Sequence, residues 1–173
     1  AAFWQETERL RDYFKFEFFY PEKAQFRQEL EEELARVDPE WEAHLHEGWQ
    51  GIHQLLSSMR PLVAHASLWS FVEAYSVVFN LLARLDASES LQEEDCINQA
   101  LKEGKQLYLQ RRINSEASIG KILFSNGYKL ACNFGLTEGG GPELADQRDN
   151  LLREFKELWR RLDRIRSMAL SGE

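Results

Sequence analysis

The residues able to do chemistry are few, and their spacing sets limits at once. Of the four histidines, His44 and His46 stand two apart. On a helix they point in different directions, so they cannot share a metal as an i, i+4 pair can. His53 and His65 are isolated, and neither a metal nor a cofactor is expected. His65, Glu73 and a nearby serine supply the residue types of a catalytic triad, but nothing in their spacing brings them within reach. "GGGP", Gly139 to Pro142, precedes a helix as phosphate loops do. It lacks the Lys-Ser/Thr pair and a preceding strand, so it reads as a flexible linker. Glu93, Glu94 and Asp95 fall in the first turn of a helix, where negative charge suits the macrodipole. Cys96 and Cys132 lie on separate predicted helices, outside any Cys-x-x-Cys or Cys/His cluster. They read as reduced thiols.

Two basic groups carry more weight. Arg111 and Arg112 close a helix, where cations are favoured, and paired guanidinium groups also suit phosphates. Arg160, Arg161, Arg164 and Arg166 crowd the last helix beside Trp159. They are either the solvated face of a bundle or a contact with an anionic membrane surface. The net charge of −8 over 173 residues opposes a general nucleic-acid binder, because phosphate neutralisation needs a basic surface.

The elements that must position these groups all read as helices. Phe3, Leu10 and Phe14 lead a first helix, and "FKFEFFY" reads as its run into a turn. Pro21 opens a second, striped by Phe26, Leu30, Leu34 and Val37. Asp38 is placed to cap a third, with Pro39 in its first turn and Gly48 as its stop. "EEDCINQALKEGKQLYLQRR" carries Ile97, Leu101, Gly104 and Tyr108 on one side. Ser115 can cap the helix that follows, striped by Ile119, Leu123, Gly127, Leu130 and Phe134 and closed by Gly135. Gly120, Asn126 and Gly127 there permit close approach of a neighbouring helix. From Pro142 onward Leu144, Arg148, Leu151, Phe155, Leu158, Leu162, Ile165 and Ala169 alternate steps of four and three. That is the strongest period in the chain. The expectation is a single all-α domain over 1–173, a bundle of about six to eight helices. Its parts are lead-in helices over 1–48, core helices over 49–135 and an amphipathic C-terminal helix over 142–170.

The most apolar run, Leu62 to Leu85, is long enough to cross a bilayer, which takes about 20 residues. His65, Ser67, Ser70, Glu73, Ser76, Asn80 and Arg84 interrupt it, and a carboxylate and a guanidinium are costly at membrane depth. The run therefore reads as a buried core helix, started by Pro61. By residue types alone, the chain is a helical domain without a visible active site.

"LWSFVEAYSVV", with "GKQLYLQRRINSEASIGKILFSNGYKLACNFGL", closely resembles the C-terminal helical region of membrane-associated glycerol-3-phosphate acyltransferases. The likeness is to the large bacterial type and its mitochondrial relatives. "FKFEFFYPEKAQFRQEL" is similar to the segment that introduces that region, so the resemblance runs from about Tyr13 to Arg153. The family often carries Arg-Pro where this chain has Trp69-Ser70.

The resemblance implies a parent enzyme that transfers a fatty acyl group from acyl-CoA or acyl-carrier protein to the sn-1 hydroxyl of glycerol 3-phosphate. The product would be lysophosphatidic acid. The family's His-x-x-x-x-Asp signature is absent: five residues after the four histidines stand Trp49, Gly51, Ser58 and Ser70. No catalytic residue is therefore expected in this chain. By resemblance, the partner is an upstream catalytic domain, and the place is the cytoplasmic face of the cell membrane, or the mitochondrial outer membrane in a eukaryote. An opening on Ala rather than Met fits an excerpt of such a polypeptide. Glu73, Tyr75 and Arg112 match motif positions, with internal or interdomain hydrogen bonds expected. Arg111, Arg160, Arg161 and Arg164 are the candidates for phosphate or membrane contact. The competing readings are a freestanding helical interaction module and a peripheral membrane-binding domain.

Overall fold

The computed structural model describes residues 2–171. Among them are eight α-helices, one 3-10 turn and no strand. The all-α expectation holds. The helices are α1 (Ala2–Tyr13), α2 (Lys23–Val37), α3 (Trp41–His46), α4 (Gly48–Ser58), α5 (Ala64–Ala83), α6 (Glu93–Leu109), α7 (Lys121–Asn133) and α8 (Glu143–Ser171). The 3-10 turn, Glu116–Ser118, precedes α7. The chain forms two compact units, one reaching to Leu62 and including the residues from Met168, the other Val63–Ser167.

In the first unit, Leu34, Trp41 and Leu55 are buried together, with Phe3, Trp4, Leu30, Leu45 and Met59 packed around them. Three aromatic rings, Phe3, Trp4 and Trp41, meet with centroids 5.0–6.2 Å apart. Asp38 does not cap α3 in the simple way the sequence suggests. One carboxylate oxygen accepts from the Glu40 amide at 3.0 Å and the other pairs with His44 Nδ1 at 2.8 Å. This local turn uses up residues 38–40, and the helix begins at Trp41. Gly48 stops α3 with φ +69° and at the same time starts α4.

The second unit is built around α5. Ten of its residues are buried, and it packs against α6, α7 and the 3-10 turn. It is long and apolar enough to cross a membrane, yet over half of its apolar window is buried within the protein. Pro61 lies outside the helix, whose N-cap is Val63. Gly127 brings α7 close. A Cβ there would lie 3.2 Å from the Tyr75 ring and 3.4 Å from the Tyr75 Cα, so the two backbones meet where any larger residue would push them apart.

The sequence misjudged two inward faces. On α6 the buried edge is Cys96, Ala100 and Gly104, and Tyr108 is exposed. Small residues occupy the closest approach, while Ile97 and Leu101 flank it half-buried. On α7, Phe124 rather than Leu123 fills the core, and Phe134 is exposed. Ser115 caps the 3-10 turn, its side chain accepting from the Ala117 amide, and α7 starts only after Gly120. The α8 period is right from Leu144 to Leu162. Phe155 is fully buried, stacked on Tyr75 at 5.8 Å and edge-on to Phe79 at 4.8 Å.

The same face of α8 buries Arg148. Its guanidinium donates to four backbone carbonyls: Leu136 at 2.8 Å, Asp86 at 3.0 Å, Glu89 at 2.8 Å and Glu138 at 3.2 Å. Burial lowers its pKa and Glu89 opposes that. Further bonds join the two loops it holds, Leu91 N to Thr137 O at 2.9 Å and Gly140 N to Ala87 O at 2.7 Å. The glycine-rich loop is thus tied down, where the sequence alone suggests a loose linker.

Candidate functional site

Glu73 is the centre of the second unit's polar chemistry. It lies mid-helix on α5, 3% exposed, in a position where a lone carboxylate would be very costly. Neutral donors satisfy it. One oxygen accepts from Trp69 Nε1 at 2.7 Å, the Asn114 amide at 2.7 Å and Asn114 Nδ2 at 2.9 Å. The other accepts from Ser118 Oγ at 2.5 Å. Trp69, standing where the family often has arginine, therefore supplies a donor one helical turn before Glu73. Its own ring meets Trp159 at 5.5 Å and lies under the Arg166 guanidinium at 5.0 Å.

The loop that reaches Glu73 comes from an unusual helix end. After α6, the Arg111 amide donates to Tyr108 O at 2.9 Å and the Arg112 amide to Leu107 O at 2.8 Å. This is a Schellman closure, with Arg111 in the left-handed position at φ 56°. Arg111 and Arg112 therefore lie beyond the helix rather than within its last turn. The reversal sends Ile113 inward and sets Asn114 against Glu73.

A cavity of about 360 Å³ opens beside this network, lined from α5, the end of α6 and α8. Its apolar lining residues are Val77, Leu107, Ile113, Leu152 and the Trp159 ring. Its polar lining residues are Glu73, Ser76, Asn80 and four cations, Arg84, Arg112, Lys156 and Arg160. Two of the cations have carboxylate partners outside the lining. Arg84 is bound to Glu103 at 2.7 Å and Arg160 to Glu157 at 3.3 Å. Asn80 also donates to Glu103, at 2.7 Å. The side chains of Arg112 and Lys156 have no ion pair or hydrogen bond among the described residues.

Of the residues singled out by sequence, Glu73, Arg112 and Arg160 meet at this cavity. Tyr75 is fully buried and faces the α7 contact and the Phe79–Phe155 cluster. Arg111, Arg161 and Arg164 are exposed and outside the lining, Arg161 being 3.7 Å from Glu157. His65 takes no part in the Glu73 network. Among the described residues no three His, Cys, Asp or Glu side chains gather as metal ligands. Cys96 is buried, its thiol pushed up to about 12 by burial first and Glu93 second, so it is a poor nucleophile. Lys156, Arg84, Asn80 and Ser118 were missed. A signal for part of the set was present: Glu73, Ser76, Asn80 and Arg84 step by three, four and four, which puts them on one face of α5.

A family model for the glycerol-3-phosphate acyltransferase C-terminal region matches residues 1–139. The chain belongs to that family. Curated relatives of this C-terminal region include "Putative acyltransferase plsB1" of Mycobacterium bovis and of two strains of Mycobacterium tuberculosis. Each is 32% identical over 165 residues, covering 95% of this chain and 26% of the relative. The chain thus spans about a quarter of the length of the curated relatives it matches. No solved structure matches it. The family match ends before α8, whereas the alignment with the relatives covers nearly the whole chain.

Proposed function

We propose that the chain is the noncatalytic C-terminal domain of a glycerol-3-phosphate 1-O-acyltransferase. The complete enzyme would move a fatty acyl group from acyl-CoA or acyl-carrier protein to the sn-1 hydroxyl of glycerol 3-phosphate, yielding lysophosphatidic acid for phospholipid synthesis. One observation carries this reading: the chain matches the C-terminal region of the family and spans 26% of its acyltransferase relatives. The missing His-x-x-x-x-Asp signature supports the noncatalytic part, because the resemblance assigns the general base to that histidine. The domain packs against the catalytic segment and helps to seat the enzyme on the cytoplasmic face of its membrane.

The test is acyl transfer from palmitoyl-CoA to glycerol 3-phosphate, read as lysophosphatidic acid formed. The purified chain alone is expected to form none. The longer polypeptide is expected to be active and to lose activity when residues 1–173 are deleted. Product from the chain alone would overturn the noncatalytic reading, and full activity of the deletion would overturn the partnership. Cosedimentation with anionic liposomes tests the membrane contact separately.

A further inference from the structure

The cavity of the second unit holds two cations that nothing else in the described chain neutralises. Arg112 and Lys156 reach it from different elements, the segment after α6 and the middle of α8. Both are exposed, so water solvates them and they stay available to an incoming anion. Glu73 lines the same cavity, but its oxygens are occupied by Trp69, Asn114 and Ser118 and do not ion-pair with either cation. The same lining includes apolar groups, among them Val77, Ile113 and the Trp159 ring. Unpaired cations and apolar side chains lining one cavity suit an anionic amphiphile. At about 360 Å³ the cavity falls in the range of small-ligand sites, roughly 300–1,000 Å³.

We propose that this cavity binds a phosphate monoester joined to an apolar group. The phosphate oxygens accept from the planar fork of Arg112 and the ammonium of Lys156. Arg160 stands beside them in an exposed ion pair with Glu157 that water already weakens, so it can turn to a ligand at little cost. Arg84 stays bound to both oxygens of the largely buried Glu103. The apolar group lies along Val77, Ile113 and Trp159. A phosphate offers one more oxygen than a carboxylate to donors arriving from two separate elements, the segment after α6 and α8. The proposal does not rest on the acyltransferase reading and holds equally for a freestanding module.

The experiment is calorimetric titration of the 173-residue chain at pH 7.5 with three probes. They are dodecyl phosphate below its micelle concentration, inorganic phosphate and dodecyl maltoside. Dodecyl phosphate is expected to saturate one site, and inorganic phosphate to bind the same site at least tenfold more weakly. The Arg112→Ala/Lys156→Ala variant should lose at least tenfold in dodecyl phosphate affinity with its melting temperature unchanged. Arg161→Ala/Arg164→Ala removes the same charge outside the cavity and should bind as the parent does. A vesicle arm compares phosphatidylcholine with and without phosphatidic acid. Binding there that depends on Arg112 and Lys156 assigns the phosphate to a lipid headgroup, while binding confined to monomeric dodecyl phosphate assigns it to a dissolved ligand. Equal binding of dodecyl maltoside, equal loss in the two double variants, or no saturable site for dodecyl phosphate would overturn the proposal.

Discussion

Glu73 and Arg148 are two buried charges of opposite sign in one compact unit, and neither has an ion-pair partner among the described residues. Glu73 is satisfied by four donors from Trp69, Asn114 and Ser118. Arg148 is satisfied by four backbone carbonyls. In each case neutral dipoles replace water, which avoids the desolvation cost of burying a second charge. What separates them lies around them. Arg148 is sealed between two loops, and its four hydrogen-bond acceptors are all backbone carbonyls, so it acts as a clamp. Glu73 does the same for the segment after α6, but it also forms part of a cavity wall with unpartnered cations. Burial of a charge is therefore not evidence of a functional site. A cavity lined by exposed cations without protein partners is the better place to look for one.

The largest effect is expected at the clamp. Arg148→Met strips the donor from four carbonyls at once and should cost about 3–5 kcal/mol, read by urea denaturation. A loss under about 1 kcal/mol would mean that the loops hold themselves together and would break the comparison. Glu73→Gln comes next, at about 1–3 kcal/mol, because a neutral amide replaces a charged acceptor and its nitrogen can be met only if the Ser118 hydroxyl turns to accept. Its effect on dodecyl phosphate should run the other way. Removing a negative charge from the wall leaves affinity unchanged or tightens it, and a weakened titration would show that Glu73 contacts the ligand.

Smaller effects are expected at two helix ends that share one geometry. Gly135 ends α7 at φ +70°, its amide bonded to Cys132 O at 2.9 Å and that of Leu136 to Ala131 O at 3.0 Å. Arg111 ends α6 in the same Schellman arrangement without the freedom of glycine. Gly135→Ala should destabilise by about 1 kcal/mol, and Arg111→Gly should stabilise by up to about 1 kcal/mol. If both variants destabilise, the α6 end is held by something the Arg111 side chain does. Smallest of all, Arg112→Ala should change stability by less than about 0.5 kcal/mol, since its side chain holds nothing within the described chain. A clear loss of melting temperature would make Arg112 a structural residue and remove its availability to a ligand.

The two charges also differ in how far the sequence discloses them. The all-helical fold and the run of α8 follow from hydrophobic period, and the position of Arg148 within that buried stripe was visible. What Arg148 does was not, because its partners are carbonyls of loops remote in sequence. Glu73 was singled out through family resemblance, yet three of its four donors come from residues 41 and 45 positions further on, beyond any helical period. Ser115 looked like the cap of a long helix because a cap signal does not distinguish one turn of 3-10 helix from thirteen residues of α-helix. The cavity itself needs α5, α6 and α8 together, so only its α5 side could be read from spacing.

The central claim, that this domain works as one part of a longer acyltransferase, is tested most directly by the size of the native protein. An antibody raised against the chain and applied to a cell extract reads it in a single immunoblot. The account predicts a band near four times 20.3 kDa, as the 26% coverage of the relatives implies. A band at 20.3 kDa would contradict it, and would leave a helical module made on its own.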